Sequence, residues 1–307
     1  MFSCHRTALA GSALVLLIAA AVALPASARR QQTPIYRGGV ELVHAGVVVT
    51  DRQGRLVSDL TAEDFIILED GVEQQVQYFA AGAGPGPELH LGLLLDVSES
   101  MIKDIEFTRA AAIKFLNGLR EALDITVVDF DAEVRSTRFV QADFARLVER
   151  IRRQKVQGFT ALYDAIGLYL DSAAAQDGRT IMILYTDGTD TRSALRFPEL
   201  MDLLKASDVT VYAIGALEHQ SSTGRAEARM RLSQIADVTA GQAFFPLALS
   251  DLTKTYAQLV AEVRAQYTLG YASGNTARDG RWRAVEVKVR RADVRVRARR
   301  GYYAPSR

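Results

Sequence analysis

Five oxygen-bearing side chains fall where an ion could be held. Asp96, Ser98 and Ser100 alternate in "LLLDVSESM", where an apolar run stops at a carboxylate. Thr160 in "QGFTAL" stands just before a helical pattern, and Asp187 in "ILYTDGTD" closes a second apolar run. Carboxylate and hydroxyl oxygens are hard donors, suited to magnesium rather than to zinc or copper. On its own, D-x-S-x-S also reads as a helix N-cap in which Ser and Asp satisfy orphan amides. Three strand-end loops that can converge on one sheet edge favour a metal site instead.

Such a set needs elements that bring distant stretches together. "LHLGLLLD" has no polar face and suits a central strand of a parallel sheet covered on both sides. The carboxyl ends of such strands are where ligands are usually held. From Leu89 onward, strands over 91–95, 125–130, 180–185 and 209–214 alternate with helices near 105–119, 142–153, 197–205, 226–237 and 252–263. A further helix follows Thr160, and short strands around 138–140 and in "QAFF" complete the series. The pattern predicts an α/β fold: a doubly wound, mainly parallel sheet with helices on both faces.

The two ends of this region read differently. Asp70-Gly71 separates two β runs, a strong hairpin signal, and in "TAEDF" Thr61 or Asp64 is placed to satisfy the backbone of a brief turn. In the tail, Val285, Val287 and Val289, then Val294 and Val296, alternate with charges. Half-buried strands need a partner sheet. Residues 34–80 and 266–305 are therefore expected to form one small β domain, with the metal-binding domain, 89–265, inserted between them. "AAGAGPGPE" marks the first boundary. The Lys and Arg residues between 281 and 300 read as a solvated strand face that discourages edge pairing.

"DVSES", "GFTAL" and "YTDG" resemble the metal-ion-dependent adhesion site of the von Willebrand factor type A family, whose pattern is D-x-S-x-S, then a Thr, then an Asp. Order and spacing fit across residues 89–263. The resemblance implies that Ser98 and Ser100 bind a metal by their hydroxyls, that Asp96 and Asp187 act directly or through water, and that Thr160 enters or leaves coordination with conformation. All five positions are intact. Mg2+ is the implied ion, or Mn2+ or Ca2+ in its place. With three neutral donors the ion keeps positive charge and an open position, which an acidic residue of a partner protein can fill. The implied role is a non-catalytic adhesion or assembly module. Its alternatives are a magnesium-dependent hydrolase and a structural subunit of a surface assembly. The sequence shows no G-x-S-x-G elbow, no P-loop and no obvious His base for Ser98. The flanking β segments are similar to those of a secreted, von Willebrand A-related family common in Acidobacteria.

Residues 1–28 combine Arg6, an apolar stretch from Ala8 to Leu24, Pro25 and the small-residue triplet Ala26, Ser27, Ala28. This reads as an export signal cut after Ala28, which places the protein in the periplasm, outside the cell or at its surface, with no membrane span after cleavage. An uncleaved helix that anchors the chain is the alternative. The single cysteine, Cys4, precedes the apolar stretch, so the remaining chain holds together by core packing without disulfides. With 37 basic against 36 acidic residues, nothing in the overall charge points to nucleic acid. The four scattered histidines argue against a zinc cluster. Asp129, Asp131 and Asp190 read as strand-end and turn carboxylates close to the site.

Overall fold

In the computed structural model, which describes residues 42–82, 86–103, 105–247 and 249–306, the chain opens with four strands. These are β1 (Leu42–Asp51), β2 (Phe65–Glu69), β3 (Val72–Gln74) and β4 (Val76–Ala80). Asp70 and Gly71 turn β2 into β3 with φ values of 48° and 82°. Two positive φ values match the strand twist in a two-residue hairpin, and glycine adopts one without steric cost. Before β2, the Asp64 carboxylate accepts the Thr61 N–H at 2.7 Å. The expected export signal lies outside the described residues. No described helix is long and apolar enough to cross a membrane.

The central region runs β5 (Leu89–Asp96), α1 (Ile105–Gly118), β6 (Asp124–Phe130), β7 (Val134–Val140), α2 (Phe144–Arg152) and α3 (Leu162–Ala173). It continues with β8 (Arg179–Thr186), α4 (Phe197–Ala206), β9 (Thr210–Gly215), α5 (Ser222–Val238), β10 (Gln242–Phe244) and α6 (Leu249–Ala265). The sheet order is β10-β9-β8-β5-β6-β7, parallel throughout except for β7, which returns antiparallel to β6. The strand expected at 138–140 is therefore longer. Most of its side chains face solvent, so little apolar periodicity marked its start.

Every residue of β5 is buried, and its alternation serves two cores. Leu91, Leu93 and Leu95 pack with Phe115 and Leu116 of α1 and with Tyr256 and Leu259 of α6. Leu94 faces the opposite side with Ile166 and Tyr169 of α3, Leu200 of α4 and Leu232 of α5. Helices on both faces explain why the strand has no polar side. Gly92 is required by packing, since a Cβ there would stand 2.2 Å from Tyr169 Cζ. The crossover through α1 carries the chain from β5 to β6, whereas β8 pairs on the other side of β5. The carboxyl ends of β5 and β8 thus flank the point where strand order reverses, the usual ligand position of open α/β sheets.

Four last strands follow: β11 (Tyr267–Ala272), β12 (Trp282–Val289), β13 (Val294–Ala298) and β14 (Gly301–Tyr303). They interleave with the first four in two antiparallel sheets, β13-β1-β11-β4 and β14-β12-β2-β3. One apolar cluster takes Val47 and Val49 of β1, Phe65 and Ile67 of β2, Leu269 and Tyr271 of β11 and Val285 and Val287 of β12. Buried Glu69 receives the hydroxyls of Tyr271 at 2.8 Å, Ser273 at 2.5 Å and Tyr302 at 3.0 Å.

The basic tail departs from the solvated face expected of it. Arg281, Lys288, Arg295 and Arg300 are exposed, but Arg283 is buried and bonded to Asp279 at 2.8 Å. Arg297 donates to the carbonyl of Ala240 and to Gln242 Oε1, each at 2.8 Å, and pairs with buried Glu262 of α6. Arg299 reaches Asp208 at 2.6 Å and the carbonyl of Lys205 at 2.7 Å. Period-two alternation shows that these charges share a face. It does not show that part of that face meets the α/β region.

Candidate functional site

Asp96 is the last residue of β5, and its carboxylate organises the turn that follows. Oδ1 accepts the Ser98 N–H at 3.0 Å, and Oδ2 accepts the Thr186 hydroxyl at 2.6 Å. Ser98 precedes a short 3-10 turn, Glu99–Met101, yet its side chain caps no backbone amide. Its hydroxyl lies 3.0 Å from that of Ser100. Ser98 therefore does not act as an N-cap, although Asp96 accepts a backbone amide of the turn. Ser98 is buried and Ser100 exposed, so the pair leads from the interior to solvent.

Thr160 and Asp187 come from neighbouring loops. The Ala161 N–H donates to the carbonyl of Asp131 at 2.7 Å, which docks the Thr160 segment at the end of β6. Backbone bonds from Gln157 to Val97 at 3.0 Å and from Glu99 to Gly158 at 3.2 Å join that segment to the Ser98 turn. Asp187 follows β8 directly. Its Oδ1 accepts the Thr189 N–H at 2.8 Å, and its carbonyl takes Gln220 Nε2 at 2.6 Å. All five residues thus lie at the carboxyl edge of the sheet, Asp96 as the last residue of β5 and the other four in loops. Thr186 and Gln220 were not expected from the sequence, because only the folded chain brings them to their partners.

The electrostatics of this edge are unbalanced. Burial pushes the Asp96 carboxyl up to about 7, against the hydrogen bonds from Ser98 and Thr186, and the negative charge of Asp187 adds to the rise. A buried carboxylate beside a second one is short of positive charge. The nearby carboxylates are provided for differently. Arg135 bonds to Asp129 at 2.8 Å and to Asp131 at 2.9 Å, and Arg150 also pairs with Asp129. Asp190 receives the Ser193 hydroxyl at 2.5 Å. These three therefore act as strand-end and turn carboxylates. Among the described residues no three His, Cys, Asp or Glu side chains cluster as a metal site. The five-residue set is not of that composition, since hydroxyls are its majority.

Around the site, Ile102 and Phe159 are 61% and 63% exposed, on the loops that carry Ser100 and Thr160. Beyond Asp187 a cleft of about 320 Å³ is bordered by Gln220, Ser221, Glu227 and Arg231. A larger cavity of about 400 Å³ lies by Leu89 and Arg179, at the opposite end of the strands. There Glu121 is already paired with Arg264 at 2.7 Å, so the unbalanced edge, not the larger cavity, is the candidate site.

Comparison with known proteins agrees with this fold. The von Willebrand factor type A domain matches residues 90–258, more than half of the 307 residues, and leaves the flanking strands outside the match. No protein of curated function is similar to the chain. Among solved structures, a von Willebrand factor type A protein from Catenulispora acidiphila is 14% identical with a TM-score of 0.50, over 79% of this chain and 73% of that one. The pilus adhesin SpaC from Lactobacillus rhamnosus GG is 10% identical with a TM-score of 0.50, over 79% of this chain and 48% of its own. A mutant of the PilB minor pilin from Streptococcus sanguinis is 12% identical with a TM-score of 0.49, over 59% and 62%. The chain thus spans less than two thirds of these two pilus proteins. The Catenulispora protein and the SpaC adhesin share its fold, and the chain belongs to the von Willebrand factor type A domain family.

Proposed function

We propose that Asp96, Ser98, Ser100, Thr160 and Asp187 hold a divalent cation, Mg2+ or in its place Mn2+ or Ca2+, and that the exported protein uses this site to capture an acidic side chain of a partner protein. The observation that carries the reading is the buried Asp96 carboxylate beside Asp187, with no neutralising side chain supplied to it among the described residues. Removing charge from water is costly unless it is paired or coordinated to a metal. The donors are hard oxygens, as magnesium and calcium require. A bound divalent cation supplies positive charge that three neutral hydroxyls leave uncancelled, and so attracts a carboxylate. Each Asp96 oxygen accepts one hydrogen bond, which leaves further lone pairs for a metal or its water. Exposed Ser100 opens the set to solvent, and Ile102 and Phe159 offer apolar contact beside it.

The pilus adhesin with this fold is a protein of the kind the reading describes. Export is supported by the leader-like residues 1–28. Calorimetric titration of the protein with Mg2+ and Mn2+, followed by capture of exported proteins with and without chelator, tests the proposal. Wild type is expected to bind the ion and Asp96→Ala to lose it with unchanged circular dichroism. Identical responses of the two to the ion overturn the metal reading. Partners retained equally in chelator overturn the bridge, and magnesium-dependent turnover of a phosphoester favours the hydrolase instead.

A further inference from the structure

We infer that Thr191 is the positioning residue for Thr160, so that the loop following Asp187 sets two members of the candidate metal site at once; the inference rests on the metal reading above. The main chain of Thr160 is committed on both sides to this loop. Its N–H donates to Thr191 Oγ1 at 2.9 Å, and its carbonyl accepts the N–H groups of Thr191 and Arg192, each at 2.9 Å.

The segments on either side reinforce the link. Helix α3 begins after Ala161, a residue with no side chain able to cap it. The missing cap comes from the same loop, because Ser193 Oγ accepts the N–H groups of Tyr163 at 3.0 Å and Asp164 at 3.1 Å. In return, the Asp164 carboxylate accepts the N–H groups of Ala194 and Leu195, each at 2.9 Å. Orphan amides at a helix start need such acceptors. Here satisfying them fastens the Thr160 segment to the chain that leaves Asp187. Thr160 cannot shift relative to that loop without giving up this whole set. The Thr191 hydroxyl is the side chain of this set that bonds Thr160 itself, and its loss removes the acceptor of the Thr160 N–H.

The test uses Mn2+ as the probe, read by calorimetry and by the water-proton relaxation that the bound ion produces. Thr191→Val keeps the shape and removes the acceptor. Loss of such an orienting partner is expected to weaken Mn2+ binding about tenfold. Relaxation per bound ion should also rise as water replaces the Thr160 oxygen. Thr191→Ser should restore both. A purely structural role lowers thermal stability but leaves the relaxation of the bound ion unchanged, and that result overturns the inference while the metal reading stands. Wild type that takes up no Mn2+ overturns both. Ser193→Ala is a second variant should Thr191→Val fail to fold. It keeps Thr191 but removes the borrowed cap, and is expected to weaken Mn2+ binding and quicken amide exchange over residues 160–164. Unchanged exchange and affinity there overturn the coupling of the two loops.

Discussion

The Thr186 hydroxyl donates to Asp96 Oδ2 at 2.6 Å, joining the last residues of the two strands between which the sheet order reverses. The same hydroxyl accepts the Gly188 N–H at 3.1 Å, so one side chain ties both strand ends to the turn after Asp187. Thr186→Val preserves volume but leaves a buried carboxylate oxygen and an amide without partners. The expected loss is about 2 to 3 kcal/mol, the scale of a buried hydrogen bond to a charged group. Urea denaturation measures it, and a midpoint equal to wild type would refute the linkage.

Burial raises the Asp96 carboxyl from 3.8 to about 7, so the folded chain holds a proton that the unfolded chain has already released. Stability from this group is fully present below about pH 4 and is lost as pH rises through about 7. In chelator, Asp96→Asn is therefore expected to flatten the decline in stability between about pH 4 and 7. The proton and a divalent cation compete for the same oxygens, so stabilisation by added Mg2+ should grow over that interval. Urea midpoints at several pH values, with EDTA or Mg2+, check both slopes. A wild-type decline that persists in Asp96→Asn would assign the titration to another group.

Arg297 of β13 and Glu262 of α6 form a partly buried pair between the β sheets and the α/β region. Arg297→Met leaves the Glu262 charge buried and unpaired, with an expected cost of about 3 to 5 kcal/mol. Arg297→Met combined with Glu262→Met should cost less than the single change. Thermal unfolding of the two variants gives the comparison. A double variant less stable than Arg297→Met would show that the arginine acts through its bonds to Ala240 and Gln242 instead.

A chain stopped at Arg264 lacks β11 to β14, and with them both neighbours of β1 and one of the two neighbours of β2, which keeps only β3. Unpaired edges invite association with other chains, so this truncation is expected to aggregate. Residues 89–265 alone keep the six-stranded sheet and should remain monomeric in size-exclusion chromatography. Equal behaviour of the two would contradict the dependence of β1 and β2 on the tail.

The sequence made the α/β sheet legible because burial of β5, β6 and nearly all of β8 forces continuous apolar runs, and because crossovers restrict how such runs connect. Asp70-Gly71 and the valines of β12 were equally plain, being local rules of turn and pleat. What stayed hidden depends on encounters between distant residues. Nothing local marks Thr186 as a donor to Asp96, Ser193 as the cap of a helix it does not precede, or Arg297 as a partner of Glu262. The antiparallel return of β7 escaped notice because so few of its side chains are buried. The five candidate residues stood out through type and order alone, while the charge deficit around Asp96 required its burial to be known.

The α/β region is entered through β4 and left through β11, and these strands lie side by side with Thr268 opposite Ala80. Both connections reach the sheet at its Leu89 end, where Arg179 also bonds to the carbonyl of Val263 at 2.9 Å. The candidate site occupies the Asp96 end, about 23 Å away along β5 at the usual rise per residue. A tether gripping the site and one gripping the β sheets therefore pull along the axis of β5. Tension of that kind loads the rows of hydrogen bonds to β6 and β8 in shear, where many must yield together, instead of peeling them one at a time. Force applied between the Asp96 end and the paired β4 and β11 would therefore run along the strand axis.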